Sequence, residues 1–577
     1  SDPIKQLWVA AQPGVKIGVK SEGFYRVSRA DLQTAGFDVN APTARWQLYV
    51  NGTEQAITVG NNGGYIEFYG KGIDRLESDT QIYFLVVGPE NGKRIGATSR
   101  RRVGSDSVLS ESYLQSFSKR ERFFYTSSIF NGDAENVFGT PISQTTPSTV
   151  NFDLSGVDFN VAGSSIDIAI QGASLISHQT KVTLNNVEIG VITGNGHEPS
   201  SKRFEFSTSV LREGANSLKF TPLNGSGDTS YFNSLKVTYA RRYQTEQNRI
   251  SFHVPNYKGS YAGNFTSSNI RVFDTTNPAA PVLITGLPVE ENGGGYRVFL
   301  PSNRGRVMYA VEDSAVLQPA SITSNAASTL STPAHQADLI ILSHKKFLAQ
   351  AEEWGSYRRQ QGMKVEVIDI ADVYDEFNFG VTHADSIRTF LQYAKSNWQI
   401  APNYVLLIGD ATFDPKNYFG LNANYVSTRF VDTEYSETGS DETMADFNDD
   451  GLAEIAIGRI PARETEEVTR IFNKLKTFEL SVQTGLNRGA LFAYDLPIDY
   501  DFQAISIRIS SQLSPNIPRA FIGRDMPNAQ TQLLGAMNNG PFIVNYSGHG
   551  NVGVWAASNF FSSANAGQLT NSNLSMF

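Results

Sequence analysis

Pro541-Phe-Ile-Val-Asn-Tyr-Ser-Gly-His-Gly550 joins an apolar run to a polar turn with glycine on both sides of a histidine. Phe542 to Val544 reads as a buried strand. The chain then breaks at Ser547-Gly548-His549-Gly550, where glycines permit a close backbone approach and conformations that a Cβ forbids. Ligands of open α/β sheets sit outside the carboxyl ends of the strands. His549 is therefore expected to act as a catalytic acid or base.

The stretches leading up to this one alternate in the same way. Asp338-Leu-Ile-Ile-Leu342, Lys364-Val-Glu-Val-Ile-Asp369, Tyr404-Val-Leu-Leu-Ile408 and Ala490-Leu-Phe-Ala493 read as strands. Between them, apolar residues recur at helical spacing: Phe347, Leu348, Ala351, Trp354 and Tyr357; Ile387, Phe390, Leu391 and Ala394; Val468, Ile471, Phe472, Leu475 and Phe478; Phe502, Ile505 and Ile509. Repeated strand–helix units of this length predict an α/β domain over 333–577 with a mostly parallel sheet covered on both faces.

Upstream of about residue 333 the pattern is all-β. Residues 1–118 carry short β-branched or aromatic runs separated by Asn51-Gly52 and Asn61-Asn-Gly-Gly64 turns. Residues 119–242 alternate with period two, as in Ser165–Ile170 and Leu235–Tyr239, and predict a sandwich or jelly roll acting as scaffold. Residues 243–332 read as a small β domain, with Ser321 to Pro333 as linker. Arg100-Arg101-Arg102 reads as a solvated basic loop or a protease-sensitive one.

Composition narrows the function. The net charge of −9 argues against a nucleic-acid partner. No apolar run approaches the length of a membrane span. The chain has no cysteine, which excludes disulfides and thiolate-ligated metal and fits a secreted bacterial protein. Neither HExxH nor a nucleotide-binding glycine loop opening a helix occurs.

Three polar turns follow strands: Gly409-Asp410, Asp495 and the His549 loop. If the strands are parallel, all three lie at one sheet edge; each aspartate alone also reads as a turn cap. Separately, Asp446-Phe-Asn-Asp-Asp-Gly-Leu-Ala-Glu454 contains D-x-N-x-D-G, the opening of a calcium loop. Asp446, Asn448, Asp450 and Glu454 are the candidate ligands of a structural Ca²⁺. The bidentate acid of such loops is replaced by Ile457, and an acidic turn is the alternative reading.

The segment 334–577 resembles the catalytic domain of gingipain-type cysteine peptidases. The resemblance rests on Tyr404-Val-Leu-Leu-Ile-Gly-Asp410, on Ser440-Asp441 with Ala456-Ile-Gly-Arg459, and on Ile543-Val-Asn-Tyr-Ser-Gly-His-Gly550 with Trp555 and Leu569-Thr-Asn-Ser-Asn573. It implies a caspase-like α/β fold, a protein or peptide substrate, no required cofactor and a secreted or cell-surface location, with a link to secretion or surface-attachment machinery. It further implies that His549 is the catalytic histidine, that Gly550 lends its N–H to the oxyanion hole and that Asp495 supports the histidine. Asp501 or Asp499 falls near the position that reads a basic substrate side chain, and Trp555 lies in the substrate-binding block.

One departure matters. The family's nucleophilic cysteine lies on the strand after the histidine, and its place falls just beyond Phe577; Ser575 is not at the matching position. The 577 residues are thus expected to be an incomplete peptidase domain, inactive as they stand. Two alternatives accompany the endopeptidase reading: a sortase-like transpeptidase of a secretion system, and a non-catalytic surface binding or scaffold protein.

Overall fold

The computed structural model describes residues 1–100, 108–132, 134–145, 148–253, 258–302, 305–556 and 560–577. Arg101 and Arg102 of the basic loop lie outside the described residues. The chain divides into two compact units, Ser1–Arg463 and Glu464–Phe577. The division falls inside the segment that the sequence presents as one α/β domain.

The first unit begins with three pairs of mainly antiparallel sheets. In the first pair, Gly14–Val19, Trp46–Val50 and Gln81–Val87 share one sheet, and Gly23–Ser28 and Tyr65–Gly70 another. Ile17, Leu48 and Leu85 from one face meet Val27, Ile66 and Phe68 from the other in a common core. The second pair is the predicted sandwich. Ser164–Gly172 and Ser230–Arg242 lie in one sheet, Ser148–Leu154, Ser177–Leu184 and Gly214–Pro222 in the other. Alternate residues point inward, so Ile166, Ile168 and Val237 pack against Val150, Val182 and Leu218. The third pair, built from strands between Arg249 and Glu312, has its own core around Phe252, Val272 and Val298.

Two pairings differ from the sequence reading. Ser321–Asn325, expected as linker, is an edge strand antiparallel to Gly14–Val19, with Ile322 opposite Ile17. It holds a single apolar residue, so no alternation marks it. Gly96–Ser99 pairs in parallel with Val282–Thr285, which ties the first β region to the third.

The α/β part of the first unit follows the predicted pattern. Leu339–Ser343, Val365–Asp369, Tyr404–Ile408 and Ala456–Ile460 form a four-stranded parallel sheet. Helices Leu348–Gln360 and Ala384–Asn397 follow their strands, the latter burying Ile387, Phe390, Leu391 and Ala394. Asp441 and Arg459, two landmarks of the resemblance, meet here in a bidentate pair with both N–O distances at 2.8 Å. Arg459 Nη1 also donates to the carbonyls of Gly409 and Val426, so the pair fixes the loop that follows Tyr404–Ile408.

Within this unit the β region docks on that loop. The Tyr125 ring stacks on Phe413 at 4.1 Å, and the Tyr125 hydroxyl and Asn136 amide both donate to the buried Glu437 carboxylate. Burial pushes Glu437 up to about 7, against the opposing effect of those two donors. An unfolded glutamate ionises near pH 4.3. The folded form therefore holds its proton more tightly: the contribution is fully present below the unfolded pKa and is lost as pH rises through about 7. The melting temperature is expected to fall between pH 6 and pH 8. Glu437→Gln should remove that part of the slope, on the order of 1 kcal/mol over this pH interval. Calorimetry at the two pH values measures it; equal slopes in both proteins would exclude Glu437 as the source.

The second unit holds a three-stranded parallel sheet, ordered Arg519–Gly523, Ala490–Tyr494, Ile543–Ser547. Helices Thr465–Gly485, Phe502–Ser510 and Ala529–Asn538 belong to the same unit. Its core joins Leu491, Ala493, Ile522, Leu533 and Val544. Met576 bridges to Ile543 in parallel, with N–H···O bonds of 2.8 and 2.9 Å to the backbone of Val544 and Phe542, so this residue lies beside the histidine strand.

Candidate active site

Parallel pairing places the three strand ends at one edge. Tyr494 is level with both Ser547 and Gly523, so Asp495, Gly548 and Arg524 each open the turn after their strand. The backbone N–H of Asp495 donates to Ser547 O at 3.0 Å, and that of Arg524 to Tyr494 O at 3.0 Å. Gly548 is required by proximity. A Cβ there would lie 2.5 Å from Asp495 Cβ and would press on Tyr546 Oη. The next residue, His549, is carried back over Asp495.

His549 Nδ1 lies 2.9 Å from Asp495 Oδ2. The other oxygen, Oδ1, accepts from the Leu496 N–H at 2.7 Å and pairs with Arg524 Nη1 at 3.0 Å. The Asp495 side chain is 1% exposed and the His549 ring 45% exposed, which gives a buried acid orienting an accessible imidazole. Burial alone would raise the Asp495 carboxyl; the His549 hydrogen bond, the Leu496 N–H and the Arg524 charge hold it below the usual range. The hydrogen bond to Asp495 raises His549 above the ordinary histidine value against the opposing effect of desolvation, and Asp499 adds to the rise. The Phe502 ring packs edge-on against the imidazole at 5.2 Å.

Gly550–Asn551 pairs with Val554–Trp555 in a tight hairpin. The His549 carbonyl accepts from Ala556 N–H at 2.7 Å and from Tyr546 Oη at 2.6 Å. This makes Gly550 and Trp555 a non-hydrogen-bonded pair, so the Gly550 N–H points away from the partner strand. Trp555 stacks on Tyr546 at 4.4 Å with ring planes 4° apart, forming a wall beside the histidine loop.

The expected residues divide as follows. Asp495, His549, Gly550 and Trp555 come together in the second unit. Asp410 belongs to the first unit, where its carboxylate pairs with Arg463 at 2.7 Å. Asp501 caps helix Phe502–Ser510, its Oδ1 accepting from Ala504 N–H at 2.9 Å. Asp499, two residues earlier, is the acid that reaches the ring, at 3.3 Å from Nε2. Arg524 was not foreseen. Its strand offers only Ala520-Phe-Ile522 behind a charged Arg519; recognising that run would have exposed Gly523-Arg524 as one more polar turn at the same edge.

In the first unit, carboxylate oxygens of Asp446, Asp450 and Glu454 lie within 4.8 Å of one another. Asp446 accepts the Asp450 and Gly451 N–H groups, Asn448 accepts the Asp450 N–H and Asp450 accepts the Leu452 N–H. Burial would raise Asp446, but these backbone donors hold it below the usual carboxylate range.

Residues 332–577 match the family model described as Peptidase family C25, and this segment is a domain of that family. Gingipain R2 of Porphyromonas gingivalis, in each of two strains, is 23% identical over 271 residues, covering 44% of this chain and 33% of the relative. The chain thus spans a third of the length of the curated relatives it matches. The crystal structure of dimeric latent PorU from Porphyromonas gingivalis aligns at a TM-score of 0.59 and 16% identity, over 84% of this chain and 52% of that one. The shared fold extends through the β region as well as the α/β region.

Proposed function

We propose that the Peptidase family C25 domain contributes the histidine half of the catalytic site of a secreted or surface-located cysteine endopeptidase. The observation that carries this reading is the buried Asp495 holding Nδ1 of an accessible His549, with the Gly550 N–H free of the hairpin ladder. In this mechanism a thiolate attacks the scissile carbonyl carbon, and the charge that develops on its oxygen is met by the Gly550 N–H. His549 then donates its Nε2 proton to the leaving amine as the C–N bond breaks. Water attacks the resulting thioester, loses a proton to His549 and releases the acid and the thiolate. In this reading Trp555 on Tyr546 lines the approach for the substrate chain, while Asp501 caps helix Phe502–Ser510.

The chain has no cysteine, so the thiol has to come from outside these 577 residues. Met576 fixes where. It is level with Ile543 in a parallel pairing, and a strand continued in that register comes level with His549 roughly five residues past Phe577. The Ser575 hydroxyl is committed to the Pro541 carbonyl. A longer form that includes this continuation is expected to cleave peptides and to lose activity on thiol alkylation. Alanine or serine in place of cysteine there, or cleavage indifferent to alkylation, would refute the reading. Amine-linked products instead of hydrolysed ones would identify a transpeptidase.

A structural Ca²⁺ belongs to the same proposal. Asp446, Asn448, Asp450 and Glu454 would hold it, since their hard oxygen donors on a loop already shaped by backbone hydrogen bonds suit that ion. Millimolar Ca²⁺ is expected to raise the melting temperature, and Asp450→Ala to abolish the rise. An unchanged melting curve would leave the loop as an acidic turn.

Among the described residues, no helix is long and apolar enough to cross a membrane.

A further inference from the structure

His549 presents both ring nitrogens to carboxylates: Nδ1 to Asp495 at 2.9 Å and Nε2 to Asp499 at 3.3 Å. A neutral imidazole has one N–H, so one of its nitrogens would face a carboxylate lone pair with a lone pair of its own. Only the imidazolium donates to both acids.

The two acids are held differently. Asp495 is buried and bound by Arg524 and the Leu496 N–H. Asp499 is 65% exposed. It sits on a loop tied down at both ends, by the Leu496 N–H on Asp495 Oδ1 and by the Asp501 cap on helix Phe502–Ser510. Phe502, the first residue of that helix, packs against the imidazole. The loop therefore delivers the Asp499 carboxylate to Nε2. Among the described residues, Arg524 also reaches Asp495 from the third strand end, and the Tyr546 hydroxyl is bound to the His549 carbonyl.

We infer that Asp499 is a positioning residue that fixes the Nε2–H of His549, so that the ring rests as an imidazolium with each N–H on a carboxylate. Nε2 is the nitrogen that has to face the thiolate and the leaving amine. Asp499 holds that position in the resting site and gives it up when the reacting groups arrive. Its exposure makes the contact exchangeable; the buried Asp495 contact is permanent. The inference concerns the protonation of this chain and does not depend on peptide hydrolysis.

The test uses the 577-residue chain labelled with ¹³C-histidine. The His549 resonance is identified by its loss in His549→Gln, and its titration is followed by NMR. Asp499→Asn is expected to move the midpoint to lower pH with no change in melting temperature, and Asp499→Glu to restore part of the shift. In the unsubstituted chain the midpoint is expected to fall as salt rises, because an exposed pair is screened. A midpoint indifferent to Asp499→Asn, or indifferent to salt, overturns the inference. The salt titration decides the question even where a substituted chain folds poorly.

Discussion

His549→Ala, made in a longer form that carries the thiol, is expected to lower kcat by roughly 10²–10⁴-fold. KM should change little, because the ring is placed to move a proton and not to grip the substrate. The Gly550 N–H is set by the hairpin pairing with Trp555, and alanine at 549 leaves that pairing and the backbone bond to Ala556 in place. The oxyanion donor therefore survives, and the residual rate should exceed that of the uncatalysed reaction. Stability should be nearly unchanged, since the ring is 45% exposed. The pH profile supplies an independent check. His549 is raised by the Asp495 hydrogen bond, so the proton-donating imidazolium persists to higher pH than that of an ordinary histidine, and the alkaline limb of kcat lies correspondingly high. Full activity in His549→Ala would remove the histidine from the mechanism altogether.

The features legible in the sequence were those with a strong local signature. Tyr404–Ile408 and Ala490–Tyr494 are uninterrupted apolar runs and became central parallel strands. Ser547-Gly548-His549-Gly550 announced a turn with a close backbone approach, and Gly548 proved to be where Asp495 passes. Elements specified by partners distant in sequence were illegible. Ser321–Asn325 becomes a strand because Gly14–Val19 offers it an edge. Arg519–Gly523 is short and begins with a charge, so Arg524 stayed hidden. Three acids crowd Asp495–Asp501, and spacing alone did not separate their roles. The N-cap rule, applied to Asp501 and the Ala504 N–H, would have assigned that residue to the helix and left Asp499 for the ring. Asp410 shows the limit of reasoning from a shared sheet edge: it follows a strand of a different sheet and is neutralised by Arg463.

Asp495→Asn is the sharper probe of the site, because it keeps shape and changes charge. The carboxylate accepts on both oxygens, one from His549 and one shared by Leu496 and Arg524. An amide accepts on one oxygen only, and its NH₂ must face either the Nδ1–H of His549 or the Arg524 guanidinium, both of them donors. If the amide oxygen stays with Arg524, the NH₂ group selects the tautomer of His549 with the proton on Nε2 and a lone pair on Nδ1. The ring loses its counter-ion and titrates at lower pH. In the thiol-bearing form kcat should fall roughly 10²–10⁴-fold, as for other carboxylates that orient a catalytic histidine, with the alkaline limb shifted to lower pH. If the oxygen turns to His549 instead, Arg524 is left facing a donor at a largely buried position, and the melting temperature of the unit falls. Either arrangement carries a measurable loss. Unchanged kcat, pH profile and melting temperature together would mean that the Asp495–His549–Arg524 contacts do not operate in solution.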